Sequence, residues 1–128
     1  SKQNVVEPTV SDAITLAARQ VAETVNANCI VTYTTTGSTT LRAARERPTV
    51  PILCVTSSLS TARRMAIAWG IHSVHIDQEE RFSTVVKRAV DIAETQGFAS
   101  SGDHIVITAG VPMGKSGSTN VLRIERIP

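Results

Sequence analysis

The 128-residue sequence predicts an α/β fold: three layers, αβα, around a five-stranded and mostly parallel sheet whose last strand is antiparallel. Three observations carry this. Short β-branched runs alternate with helical stretches of about 10–15 residues, the rhythm of right-handed βαβ units. "PILCVT" is apolar throughout, as in a strand covered on both faces. Finally, only "VPMGKSGS" separates the last two strand-like runs, too few residues for a parallel crossover.

The elements follow in order. Residues 1–10 read as a linker or arm and residues 11–128 as the domain. Ser11 and Asp12 give an N-cap signal, after which Ile14, Ala17, Ala18, Val21 and Val25 recur at helical spacing. Asn26 to Asn28 break that helix, and "CIVTY" is a short strand. A second helix carries Leu41, Ala43 and Ala44 and ends in "RERP" before Pro48. "PILCVT" is the second strand, and "SSLSTARRMAIAWG" a serine-capped helix closed by Gly70. "HSVHI" is the third strand and "RFSTVVKRAVDIAETQG" the third crossover helix. "HIVITAG" and "TNVLRIERI" close the sheet, the latter with an edge strand's mixture of apolar and charged residues.

Bulk properties exclude several functions. An apolar content of 41 % is too high for disorder, and a net charge of +2 is too small for a nucleic-acid surface. Trp69, Tyr33, Phe82 and Phe98 are the only aromatics, too few for a base-stacking platform. No stretch is long enough to span a bilayer. Cys29 and Cys54 sit in apolar runs and read as buried, reduced thiols of a cytoplasmic protein. The chain opens without Met, as an excised piece of something longer would.

Chemistry concentrates in two loops. "TYTTTGSTT", Thr32 to Thr40, carries a hydroxyl on every residue but Gly37. It lies where a parallel strand feeds a helix, the position at which open α/β sheets bind ligands. There the unpaired amides and dipole of the first helical turn attract anions. Thr34, Thr35, Thr36, Ser38 and Thr39 add hydroxyls, and Gly37 lets the backbone come close to a phosphate. A plain serine or threonine N-cap is the alternative, but one cap needs only one hydroxyl. The second loop, "AGVPMGKSGST", nearly matches G-x-x-x-x-G-K-[ST], with Gly114, Lys115 and Ser116 in place but Ala109 at the first glycine. A strand follows it instead of a helix, which argues against a nucleotide triphosphatase. As a hairpin loop it still offers Lys115, Ser116, Ser118 and Thr119 to the crevice above the first strand.

No catalytic set and no metal site emerge. The rings of His72 and His75, three apart on a strand, fall on opposite faces. His104 starts another strand behind Asp103. Glu79, Glu80, Asp91 and Glu94 read as the solvated side of a helix. Neither cysteine has a histidine or a helix start beside it to lower its pKa.

With these residues in hand, the chain resembles the C-terminal domain of pyruvate kinases along nearly its whole length. The resemblance rests on "EPTVSDAI", "IVTYTTTGSTT", "RERPTVPILCVTSSLSTARRMAIAWGI", "TQGFASSGDHIVITAGVP" and "GSTN" in that order. It implies a cytoplasmic, tetrameric glycolytic enzyme that transfers phosphate from phosphoenolpyruvate to ADP. Its active site, with Mg²⁺ and K⁺, lies in a separate barrel domain absent from this sequence. It further implies a regulatory role: Thr34, Thr35, Thr36, Gly37, Ser38 and Thr39 as the cradle for an effector's phosphate. Gly114, Lys115, Ser116, Gly117 and Ser118 match the loop that closes over it. Relatives that bind fructose 1,6-bisphosphate have lysine where Thr35 stands, and a longer, Trp-bearing segment where "HIDQEERF" is short. A sugar monophosphate or AMP is therefore expected over the bisphosphate, held without a cation in that turn. The family pairs last strands across a two-fold axis. Two other readings stay open: a stand-alone phosphate-binding domain with chemistry of its own, and a purely structural assembly module.

Overall fold

A computed structural model describes residues 9–77, 81–111 and 119–128. Its elements are α1 (Val10–Thr24), β1 (Cys29–Tyr33), α2 (Ser38–Arg45), β2 (Ile52–Thr56), α3 (Leu59–Ala66), β3 (Ile71–His75), α4 (Phe82–Thr95), β4 (His104–Ala109) and β5 (Val121–Arg126). The predicted class and every predicted element are present. Boundaries move by a residue or so, with two exceptions that have identifiable causes.

The first is the start of α1. Its N-cap is Thr9, two residues before Ser11: the Thr9 hydroxyl accepts from the Asp12 N–H, and the Asp12 carboxylate accepts from the Thr9 N–H. Asp12 thus serves at the third helical position of a capping box, which satisfies two end donors at once. Ser11 is inside the helix and buried. The second is α3, which stops at Ala66, four residues before Gly70. Met65 is its last buried side chain; Ile67 and Trp69 beyond it are 89 % and 98 % exposed. Nothing apolar is there for another turn to pack against.

α4 ends as its sequence predicts. Gly97 has φ +80°, its N–H donates to the Glu94 carbonyl at 3.1 Å, and the Phe98 N–H donates to the Ala93 carbonyl at 2.8 Å. This pair of reverse bonds needs a left-handed residue, which glycine supplies without strain. It turns the chain sharply toward β4.

The sheet order is β3-β2-β1-β4-β5. β1 is parallel to both β2 and β4, β2 is parallel to β3, and β4 and β5 are antiparallel. Right-handed crossovers place α2 and α3 on one face with α1, and α4 on the other. Alternation along β1 sorts side chains between the faces. Ile30 packs with Val106 against Ala18 and Ala22 of α1. Val31 packs with Leu53 and Ile107 against Val85, Ala89 and Ala93 of α4. β1 and β2 are buried at every position. Each such Ile, Leu or Val contributes about 1.5–3 kcal/mol of transfer free energy, so the sheet centre is the rigid base for what lies above it.

β1 and β4 are neighbours, yet the chain leaves β1 toward β2 and leaves β4 toward β5. The sheet therefore has its topological switch point between their carboxyl ends, where α/β sheets open a crevice.

Candidate functional site

The hydroxyl-rich turn caps this crevice. Register pairs Thr32 with Thr108, so the ends of β1 and β4 emerge side by side. The turn from Thr34 to Gly37 then leads into the first turn of α2. Gly37 is the N-cap, with φ +93° and no side-chain cap bond. The single-hydroxyl cap considered from sequence is therefore not how this helix begins. Instead the Thr34 hydroxyl accepts from the Gly37 N–H at 2.9 Å and holds the left-handed turn closed. A Cβ on Gly37 would lie 3.0 Å from Met65 Cε and 3.4 Å from Thr61 Cγ2, so α3 is packed directly against the turn.

The hydroxyls divide into two groups. The inward group is structural. Thr32 and Thr40 share a buried hydrogen bond of 2.7 Å, and Thr39 bonds Thr119 at 2.6 Å, also buried. The outward group surrounds the start of α2. Thr36 is exposed, Ser38 and Thr35 are half-buried, and the Thr36 hydroxyl donates to Ser38 Oγ at 3.1 Å. The amides of the first helical turn have no partners within the helix. The turn thus sets hydroxyls and amides at the positive end of α2, with no carboxylate in that turn.

One residue at this place was not singled out for it from sequence. Arg64 of α3 donates through Nη2 to the Thr36 carbonyl at 2.9 Å and to the Thr61 hydroxyl at 3.0 Å. Thr61 in turn donates to the Thr35 carbonyl at 2.7 Å. A guanidinium has five N–H donors, and these two bonds use one nitrogen. The turn itself holds no cation, as read, but a cation from α3 is fastened to its backbone. The sequence carried one usable signal: Arg63-Arg64 falls on the helix after the adjacent strand, whose N-terminus starts at the same sheet edge.

Gly114, Lys115, Ser116, Gly117 and Ser118 lie outside the described residues. Both stems of their loop are fixed. The Asn120 side chain accepts from the Val111 N–H and donates to the Val111 carbonyl, each at 2.8 Å, and the Asn120 N–H donates to the Ala109 carbonyl. Thr119, one residue earlier, reaches the first turn of α2. The exit of the loop and the turn after β1 are thereby one hydrogen-bonded unit.

The two histidines of β3 are held in structural contacts. His72 Nε2 meets Gln96 Oε1 at 3.2 Å and its ring tilts against Phe98; His75 Nε2 meets the Ser57 carbonyl at 3.1 Å. Cys29 and Cys54 are free thiols, fully buried, and burial pushes Cys29 up to about 12. Cys54 is raised by burial as well, opposed by hydrogen bonds to Thr40, Ser73 and Thr32. Among the described residues no group of three His, Cys, Asp or Glu is placed to hold a metal ion, and no helix is long and apolar enough to cross a membrane. Glu79 and Glu80 lie outside the described residues.

Comparison with known proteins agrees with this architecture. Residues 12–125 match the family model described as pyruvate kinase, alpha/beta domain. The chain is 42 % identical over 118 residues to a pyruvate kinase of Methylorubrum extorquens, covering 92 % of this chain and 25 % of that protein. It is 36 % identical over 115 residues to a pyruvate kinase of Clostridium acetobutylicum, covering 90 % and 24 %. Among solved structures, a Cryptosporidium parvum pyruvate kinase superposes with a TM-score of 0.85 at 29 % identity, over 99 % of this chain and 25 % of that one. The same organism's pyruvate kinase in complex with ADP gives 0.83 at 31 % identity, over 99 % and 26 %. The chain thus spans about a quarter of the length of the proteins it matches. It belongs to the pyruvate kinase alpha/beta domain family.

Proposed function

We propose that this domain senses a phosphorylated small molecule on behalf of a pyruvate kinase. The observation that carries the reading is the turn from Thr34 to Thr39. It lies at the switch point of the sheet, is opened by Gly37 in a left-handed conformation, and is attended by the Arg64 guanidinium. A phosphate monoester there is held by the amides of the first turn of α2 and by the hydroxyls of Thr35, Thr36 and Ser38. Arg64 supplies the positive charge. Lys115 and its neighbours in the second loop complete the ligand's surroundings. One guanidinium and no lysine in the turn suit one phosphate group, so a sugar monophosphate or AMP is preferred over fructose 1,6-bisphosphate.

The parent enzyme transfers phosphate from phosphoenolpyruvate to ADP in the cytoplasm. Its catalytic portion holds Mg²⁺ and K⁺. The effector acts by binding the active arrangement of the enzyme more tightly than the inactive one. Tetramer assembly uses the free edge of β5, where Ile124 is exposed between Arg123 and Glu125.

Titration of the chain with inorganic phosphate, AMP and glucose 6-phosphate, followed by amide chemical shifts, tests the binding half. Shifts are expected at Thr34 to Thr39, with the monophosphates saturating before phosphate alone. Arg64→Met weakens binding about tenfold, or ~1.4 kcal/mol, and flattens its salt dependence. Unchanged shifts in this turn at millimolar ligand overturn the reading.

A further inference from the structure

Thr61 of α3 has no part in the reading above, yet its hydroxyl does not behave like those of Thr15, Thr24 and Thr95. Each of these donates to the carbonyl four residues back in its own helix, at 2.7 to 2.9 Å. Thr61 stands at the third position of α3. There the carbonyl four residues back belongs to Ser57, ahead of the Ser58 cap, and meets His75 Nε2. The Thr61 hydroxyl instead leaves the helix and donates to the Thr35 carbonyl, 26 residues away, at 2.7 Å. Thr61 is 2 % exposed, so water competes little for this bond. Its Cγ2 would lie 3.4 Å from a Cβ on Gly37, so hydroxyl and methyl both bear on the turn.

The direction of one carbonyl decides that of the next amide. In a trans peptide the C=O of one residue and the N–H of the next point opposite ways. Thr61 draws the Thr35 carbonyl toward α3, which sends the Thr36 N–H away from α3. That helix packs on β2 and β3, whereas the crevice opens between β1 and β4, so the Thr36 N–H is turned to the crevice side. It has no acceptor among the described residues. The next peptide plane is pinned at both ends. Arg64 Nη2 holds the Thr36 carbonyl at 2.9 Å, and the Gly37 N–H donates to the Thr34 hydroxyl at 2.9 Å. Arg64 also donates to the Thr61 hydroxyl at 3.0 Å, so the two tethers brace each other.

We propose that Thr61 is a positioning residue for the phosphate cradle: by holding the Thr35 carbonyl it presents the Thr36 N–H to an anion. The proposal rests on the sensing reading above. Arg64 supplies charge, and Thr61 supplies direction. A peptide plane left untethered rotates, and offers its carbonyl oxygen, which repels phosphate, in place of its N–H. Both tethers belong to α3, so the cradle receives an anion only while α3 keeps its place beside the turn. A shift of α3 by one residue's rise, about 1.5 Å, breaks both bonds. Phosphate affinity thereby depends on where α3 stands, and whatever moves α3 regulates the site.

Two variants divide the side chain. Thr61→Val removes the hydroxyl and keeps the shape; Thr61→Ser removes the methyl and keeps the hydroxyl. Residual dipolar couplings of the Thr36 N–H read its direction, and titration with inorganic phosphate reads affinity. Thr61→Val is expected to change the Thr36 coupling and to weaken phosphate binding about tenfold. Thr61→Ser is expected to keep the coupling and to bind within about twofold of the parent chain. Salt separates direction from charge: the loss in Thr61→Val is the same at low and high salt, whereas that in Arg64→Met shrinks as salt rises. Amide shifts of α4, on the far face of the sheet, certify that each variant is folded. An unchanged Thr36 coupling in Thr61→Val overturns the proposal, and so does weakened binding in Thr61→Ser, which keeps the donor. If the parent chain binds no phosphate, the sensing reading falls and takes this proposal with it. If the parent binds and Thr61→Val binds equally well, this proposal alone falls.

Discussion

Thr39 and Thr119 stand eighty residues apart and share a buried hydroxyl–hydroxyl hydrogen bond of 2.6 Å. This bond ties the first turn of α2 to the residue that leads into β5. Both hydroxyls are sealed from water, at 5 % and 1 % exposure. Removing either one strands the other without a partner, which costs about 1–3 kcal/mol. Thr39→Val and Thr119→Val are therefore each expected to lower stability by that amount in urea unfolding. The double variant loses less than the sum, because no orphaned hydroxyl remains. Additive losses would mean the two hydroxyls act separately.

Gly37 is constrained twice. Its φ of +93° disfavours any L side chain, by about 1–2 kcal/mol, and its missing Cβ leaves the room that Met65 occupies at 3.0 Å. Gly37→Ala is expected to destabilise by at least that conformational cost. Met65 Cε is the far end of a flexible side chain, so in a Met65→Ala background the steric part disappears and the conformational part stays. Urea midpoints of the two Gly37→Ala substitutions, each against its own parent, separate the two contributions. Equal losses in both backgrounds would assign the whole effect to φ.

These two positions show what was legible in the sequence. The strands, their order of appearance, the antiparallel last pair and the place of the Thr/Ser turn all follow from local patterns: β-branched runs, glycine and proline punctuation, and a loop too short for a crossover. Which hydroxyls face inward does not, because Thr39 finds Thr119 only once β4 and β5 have paired. Arg64 escaped for the same reason. Its contact with the Thr36 carbonyl spans 28 residues and depends on α3 packing beside α2. The exposed Ile67–Trp69 corner also looked like ordinary helix, since a helical spacing cannot reveal that the core ends at Met65.

Cys29 makes the stability of the fold sensitive to alkali. Burial raises its pKa from 9.0 to about 12, so the native state keeps the thiol protonated where the unfolded chain has already ionised. The contribution is whole below pH 9 and is lost as pH climbs from there toward 12. Stability measured by urea unfolding is expected to fall across that window, and the fall is expected to be shallower in Cys29→Ala. The thiol should also resist labelling at pH 8 until the chain unfolds globally. Labelling faster than global unfolding would contradict its burial.

Thr32 and Thr108 are side-by-side partners in the sheet and share a face, yet they call for opposite substitutions. Thr32 bonds Thr40 at 2.7 Å, so Thr32→Val leaves the buried Thr40 hydroxyl with only the weak Cys54 thiol as partner and is expected to cost about 1 kcal/mol. Thr108 is 2 % exposed, and its hydroxyl has no partner among the described residues. A buried hydroxyl without a partner carries its desolvation cost uncompensated. Valine has the same shape and a stronger preference for strands. Thr108→Val is therefore expected to raise stability by about 1 kcal/mol while leaving the turn from Thr34 to Thr39 unmoved in amide shifts. A loss of stability instead would reveal a buried water bonded to that hydroxyl, and high-resolution diffraction at the β1–β4 edge would locate it.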